Sequence, residues 1–147
     1  MYGDLAAMRN RVGQLHEQAV DVRSIADRLV AQVDGIEWQG RAADAMRTRT
    51  RERANRLRDN AHQHDDAAEA LERHAAEIAR RKDAIADLEL RAASLVAEAR
   101  ARVARAESHD DPEGVRREAM PADRRLAAFA APPSGHQDWL TIELPGL

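Results

Sequence analysis

The sequence predicts an all-α fold, an antiparallel helix-turn-helix hairpin whose second helix is much the longer. Three observations predict it. Mostly apolar residues recur at helical spacing over two long segments, alternating three and four without fault in the first and with two extra four-residue steps in the second. One stretch with two glycines, residues 33–46 (VDGIEWQGRAADAM), separates those segments. Between Gly40 and Pro112 there is then neither Gly nor Pro to break a helix.

Composition sets the scale of the core. A chain of 147 residues with 44% hydrophobic residues fits one globular domain, but aromatic residues make up only 3% and alanine is the largest part of the apolar fraction. Close-packed helices with small residues at their seams are therefore expected rather than a broad core of large side chains. Charged residues make up 33% of the chain at a net charge of −3, and Lys82 is the one lysine. There is no cysteine, which excludes disulfides and thiolate metal sites. No apolar run has the length of a membrane span, and the N-terminal MYGDLAAMRNRVG lacks the pattern of a cleaved signal peptide.

The first helix is expected over about residues 4–34. Its seam is Leu5, Met8, Val12, Leu15, Ala19, Val22, Ala26, Leu29, Val33 and Ile36, with Arg, Asp, Gln and Glu between them. Gly35 follows where a C-terminal glycine takes the left-handed conformation, and Ile36 beyond it is placed to cap the last turn by apolar contact. The second helix carries Ala43, Met46, Thr50, Ala54, Leu57, Ala61, His64, Ala68, Leu71 and Ala75 on its seam, and continues through Ile78, Lys82, Ile85, Leu88, Ala92, Leu95, Ala99 and Val103. Uninterrupted, it would be roughly 100 Å long at 1.5 Å per residue. The alternative is a break near Asp83, which would cap a third helix.

A short bend between two striped helices implies an antiparallel pair. The first helix reaches along only half of the second. Ile78, Ile85, Leu88, Leu95, Val96 and Val103 are thus left without an intrachain partner in this reading. Burying each is worth about 1.5–3 kcal/mol, so a partner chain is expected at this extension interface. The hairpin domain is assigned to residues 1–107. Residues 108–147 hold all five prolines and are expected to form a mostly disordered tail, with a brief helix around Arg124–Phe129 and a terminal DWLTIEL able to add as a strand or dock as a peptide.

The bend carries the one family resemblance. Trp38-Gln39-Gly40 followed by Arg41-Ala42-Ala43-Asp44-Ala45-Met46 resembles the WxG helical-hairpin family associated with type VII (ESX) secretion, and the resemblance covers about residues 1–90. It implies that Trp38 packs at the bend and forms part of a partner contact together with Met46, and that Gly40 permits the tight backbone there. It also implies homodimeric or heterodimeric four-helix bundles, and partners that include related WxG-type proteins, larger toxins and a membrane-embedded secretion ATPase. Export would follow a route without a signal peptide, from the cytoplasm to the cell surface or medium. The export element of that family, a Tyr-x-x-x-Asp/Glu after the second helix, is absent, since Tyr2 is the only tyrosine. Trp139 and Glu143 have its spacing with Trp in place of Tyr.

Other clusters invite sharper chemistry and support less. Arg47, Arg49, Arg51, Arg53, Arg56 and Arg58 are enough charge to attract phosphates, yet helical spacing spreads them round the cylinder and no aromatic residue interleaves. A solvated basic face fits better than nucleic-acid or anionic-membrane binding, and no nucleic-acid partner is expected. His62, His64, Asp65, Asp66, Glu69 and His74 include metal-ligand types, but His64 points about 160° away from His62, and His64 on the seam reads as a register device or a pH-sensitive contact. Ser24 and Ser94 have no nearby His in sequence, and no nucleophile motif or phosphate loop is present. No catalytic activity, cofactor or metal is expected. The function the sequence points to is protein association. A cytoplasmic coiled-coil scaffold unrelated to export is the alternative.

Overall fold

The computed structural model describes residues 4–108 and 119–147. Its elements are α1 (Leu5–Asp34), α2 (Arg41–Ser108), α3 (Pro121–Ala127) and a 3-10 turn at Gln137–Thr141. No strand occurs among the described residues. The all-α hairpin with a long second helix is therefore what forms, and α2 runs through Asp83 without a break. The sequence offers no Gly or Pro there, and Asp83 mid-helix keeps the backbone bonds that a cap would have to interrupt.

The chain divides into two compact units, Met1–Ala79 and Arg80–Leu147, and α2 contributes to both. In the first unit α1 packs on the proximal part of α2. Asp4 starts α1 by accepting hydrogen bonds at Oδ1 from the backbone N–H groups of Ala6 and Ala7, at 2.9 and 3.3 Å. The buried residues of α1 are Ala19, Ala26 and Val33, one per heptad; on α2 they are Ala43, Ala54, Ala61, Ala68 and Ala75. Alanine at every seventh position from Ala54 to Ala75, facing Ala19 and Ala26, lets the two helix backbones approach closely, because the spacing of packed helices follows the side chains at the contact.

Ion pairs fix the register of this seam. Arg51 donates to Asp34 at 2.9 Å, and Arg58 donates to Asp27 at 2.7 Å. Seven residues down α1 are met by seven residues up α2, the signature of an antiparallel pair. The next rung falls at Asp65, opposite Val20. There Arg23 and His16, from a turn to either side of Val20, both reach Asp65, His16 at 3.0 Å. These bonds line one edge of the hairpin.

In the second unit, residues 119–147 fold against the distal part of α2. Ile85, Ala92 and Ala99 are buried there on α2, and Leu126 and Trp139 are buried in the C-terminal segment. Arg102 donates from both Nε and Nη2 to Asp123, at 3.0 and 2.8 Å. Arg100 donates to the Ala127 carbonyl at 3.2 Å. Glu89 accepts from the Ser134 hydroxyl and the Gly135 backbone N–H. Residues 109–118 of the tail expected over 108–147 lie outside the described residues; over 119–147 the segment forms α3 and the 3-10 turn against α2. Its few large side chains, Leu126, Phe129 and Trp139, find an apolar surface on α2, and Pro121 starts α3 at its first position.

Candidate functional site

The bend between the helices is an exposed apolar tip. Ile36, Trp38 and Met46 are 43%, 47% and 44% exposed. The backbone that presents them departs from the sequence expectation. Gly35 is right-handed, with φ −79° and ψ −6°, and its N–H closes the last turn on the Ala31 carbonyl at 3.0 Å. Left-handed glycine at Gly35 is therefore corrected; the positive φ of the bend belongs to Gly40, at +107°. The chain continues one more helical step through Gly35, and the reversal is made where α2 begins. The Gly40 carbonyl then accepts from the Asp44 N–H at 3.0 Å. Ile36 donates its N–H to Val33 at 3.5 Å, but its side chain remains substantially exposed.

A residue read from the sequence only as part of a basic face holds the loop. Arg47 donates through Nη2 to the carbonyls of Ile36 and Trp38, at 3.1 and 2.7 Å, and through Nη1 to Asp44 at 3.3 Å. A guanidinium is well suited to this task because its donors form a rigid planar fork. One side chain of α2 thus fixes the two carbonyls on either side of Glu37, and Trp38 is held outward by its own backbone. The signal in the sequence was weak, since Arg47 is one of six arginines within twelve residues.

The first unit has two unlike edges. At 100° per residue, Leu15, Val22 and Leu29 lie on one side of the buried column of α1, and Asp27 and Asp34 lie on the other. On α2, Leu57, His64, Leu71 and Ile78 lie on one side of the alanine column, and Arg51, Arg58 and Asp65 on the other. Since the ion pairs join the polar sides, the two apolar columns share the opposite edge. All of those apolar-edge residues are half-buried. Ile25, 46% exposed, extends this edge on α1. His64 is the polar member of the strip.

The remaining clusters are engaged in part within the chain. Of the arginines between 47 and 58, Arg47, Arg51 and Arg58 bond the loop or α1, and Arg49 donates to its own helix at Ala45. Asp65 is held below the usual carboxylate range, first by its hydrogen bond from Arg23 and then by that from His16, against a smaller opposing desolvation. Arg23 also approaches His62 Nδ1 at 3.4 Å. Among the described residues no group of three carboxylates or histidines is placed to hold a metal ion. Ser24 accepts from Arg28, and Ser94 donates to Glu98.

The distal residues read as an open interface are covered in part by the chain itself. Ile85 is 2% exposed, Leu88, Leu95 and Val103 are half-buried, and a Cβ at Gly146 would lie 3.7 Å from Leu95. Ile78 is half-buried in the first unit. Trp139 is 4% exposed, donates from its indole N–H to the Pro133 carbonyl at 3.1 Å, and meets Phe129 edge-on at 6.3 Å. Of the terminal DWLTIEL, Asp138–Thr141 belong to the 3-10 turn Gln137–Thr141, and no strand forms there. Glu143 is exposed, so the spaced Trp139 and Glu143 differ sharply in access to solvent. Among the described residues no helix is long and apolar enough to cross a membrane. No family model, curated protein or solved structure matches the chain.

Proposed function

We propose that this chain is a protein-association module of the WxG helical-hairpin kind, a substrate or companion of a type VII secretion system that pairs with itself or with a related hairpin. The observation that carries association is the asymmetry of the first unit. One edge is closed by ion pairs, while Leu15, Val22, Leu29, Leu57, Leu71 and Ile78 remain half-exposed along the other. A second hairpin laid on that edge would complete a four-helix bundle. The tip formed by Ile36, Trp38 and Met46 extends the apolar surface to the bend, where a large aromatic side chain is a strong anchor for a partner.

The assignment to secretion rests on the Trp38–Gly40 motif and its place at the bend. It implies a protein made in the cytoplasm and exported by a signal-peptide-independent route, with a larger toxin or the secretion ATPase as further partners. Four of the six clustered arginines already serve intrachain contacts, which favours this reading over a phosphate-binding surface. Co-expression with the product of the adjacent gene, followed by purification and mass measurement, tests the pairing. Disabling the secretion ATPase and assaying the culture medium tests the export. Trp38→Ala is expected to weaken assembly or export while leaving helicity intact. Lost helicity with unchanged association would make Trp38 a core residue instead, and export indifferent to the ATPase would favour a cytoplasmic coiled-coil scaffold.

A further inference from the structure

The charges that border the apolar edge of the first unit are all of one sign. At 100° per residue, the side of α2 that carries Leu57 and Leu71 also carries Arg49 and Arg53, and the matching side of α1 carries Arg11, Gln14 and Gln18. On that side, no Asp or Glu from Leu5 to Asp34 or from Arg41 to Ile78 lies within about 120° of the buried column of its helix. The nearest carboxylates, Asp21, Glu52 and Asp59, stand about 140–180° round, on the backs of the helices. Contacts divide the arginines in the same way. Arg47, Arg51 and Arg58 bond the loop or α1. Arg11 instead donates to Gln14, and Arg49 to the Ala45 carbonyl of its own helix. Among the described residues none of Arg11, Arg49 and Arg53 pairs with a carboxylate, and all three are exposed. An arginine in such a place lays its stem along apolar surface and keeps its donors for an acceptor outside the chain.

We propose that the partner of this edge is a different chain, a helical hairpin whose own apolar stripe is bordered by Asp and Glu, and that the arginine border disfavours a second copy. This rests on the proposed association through the apolar edge and not on secretion. The sign of the border is the same along both helices, so two copies meeting edge to edge set Arg against Arg or Gln in any register. Like charges brought together in this way suppress a wrong partner, whereas carboxylates from another chain are both attracted and oriented by the same three arginines. Covering the adjacent leucines also excludes water, which strengthens the attraction. The polar edge does not offer a second copy the missing carboxylates, because Asp27, Asp34 and Asp65 are held by Arg58, Arg51 and Arg23. A phosphate backbone would match the charge, but it has no apolar surface to cover Val22, Leu57 and Leu71 between the arginines.

The test uses the full chain and, as probe, a copy carrying Arg11→Glu, Arg49→Glu and Arg53→Glu, which keeps the apolar edge and reverses its border. Sedimentation equilibrium at low salt is expected to find each chain alone at the mass of one copy and an equimolar mixture at twice that mass. Affinity within the mixture, measured by titration calorimetry, is expected to fall by about tenfold or more between about 0.01 and 1 M salt. Leu57→Gln in both chains is expected to abolish the complex. Far-UV circular dichroism checks the fold; Arg53→Glu alone replaces a triple variant that loses helicity, and Ile25→Gln replaces Leu57→Gln, with the same expectations in smaller degree. A parent chain that alone reaches twice the mass, and loses it with Leu57→Gln, overturns the charge selection and leaves association through this edge standing. A mixed complex indifferent to salt or to Leu57→Gln overturns the arginine border as its determinant. A mixture that stays at the mass of one copy also overturns the proposal; a complex with the adjacent gene product that Leu57→Gln abolishes would then preserve the association reading, and its absence would overturn both.

Discussion

Ala61→Leu probes the alanine seam most directly. Ala61 is 0% exposed, as are Ala54 and Ala68 one heptad to either side, and the register set by Asp27–Arg58 brings the equally buried Ala26 turn of α1 against it. Leucine places an isobutyl group where a methyl group fits. The helices cannot separate at this rung without also lifting Ala54 and Ala68 from their contacts. Overpacking of this kind costs about 1–3 kcal/mol, and the flanking rungs place this site toward the upper end, at about 2–3 kcal/mol. For a unit of fewer than 100 residues, each kcal/mol shifts the melting temperature by about 4–8 °C, so a fall on the order of 10–20 °C is expected. The control is Ala67→Leu, at an exposed position six residues further on. Leucine is nearly as good a helix former as alanine, so this change is expected to cost no more than about 0.3 kcal/mol. Thermal melts followed by far-UV circular dichroism decide the matter. Equal melting temperatures for the two variants would refute a close-packed seam.

The other expectations concern the bend and the polar edge. Gly40→Ala meets open space but must adopt φ +107°, which is strained for any L side chain by about 1–3 kcal/mol; Gly35→Ala keeps an ordinary helical φ, and urea unfolding should find it the milder change. Arg47→Ala removes the donors to Ile36 and Trp38, and at about 0.5–1.5 kcal/mol net per hydrogen bond it should raise amide exchange at residues 36–40 while exchange within α1 stays unchanged. Asp65→Asn tests the polar edge through pH. The folded pKa of Asp65 is lowered by Arg23 and His16, so its contribution is fully present above the ordinary carboxylate value of about 4 and is lost as pH falls through the lowered folded value. The stability gap between the parent chain and Asp65→Asn should therefore be largest near neutrality and close in acid, and a gap independent of pH would count against the ion pair.

Helix identity was legible because the first seam alternates three and four without fault and the second keeps helical spacing with two extra four-residue steps, and periodicity is a property of the sequence alone. The bend was legible in place but not in conformation. A glycine just after a helix usually takes the left-handed form, yet Gly40 lies five residues on and makes the reversal instead, so the local rule at Gly35 lost to the geometry of the second helix start. The polar edge was hidden for another reason. Asp27, Asp34 and the arginines of α2 look like solvated charges until the register of the pair is known, and a register is a relation between two segments. Arg47 was hidden in the same way, since its partners are backbone carbonyls and carry no sequence signature. The C-terminal segment misled by composition. Its prolines and glycines predict an unstructured chain, but Trp139, Phe129 and Leu126 are spaced to meet a surface that the segment itself does not contain.

The two seams on α2 set a common physical condition for what this protein can do. A column of alanines brings helices close but removes little apolar area per residue, since a methyl group is the whole contribution. The larger side chains are displaced to the flanks, where Leu15, Val22, Leu57 and Leu71 remain half-buried in the first unit and Leu88 and Leu95 in the second. At about 25 cal/mol per Å² of apolar area removed from water, those flanks hold stabilisation that the single chain leaves unrealised. The polar contacts do not compensate for it, because the ion pairs of the hairpin are largely solvent-accessible and such pairs are worth at most about 1 kcal/mol each. They fix register and close one edge against association. A fold that specifies its own alignment with exposed charges, and leaves its larger apolar side chains half-covered, has apolar area left that association would bury. Under the proposed function, those flanks and the tip are the surfaces a partner would cover.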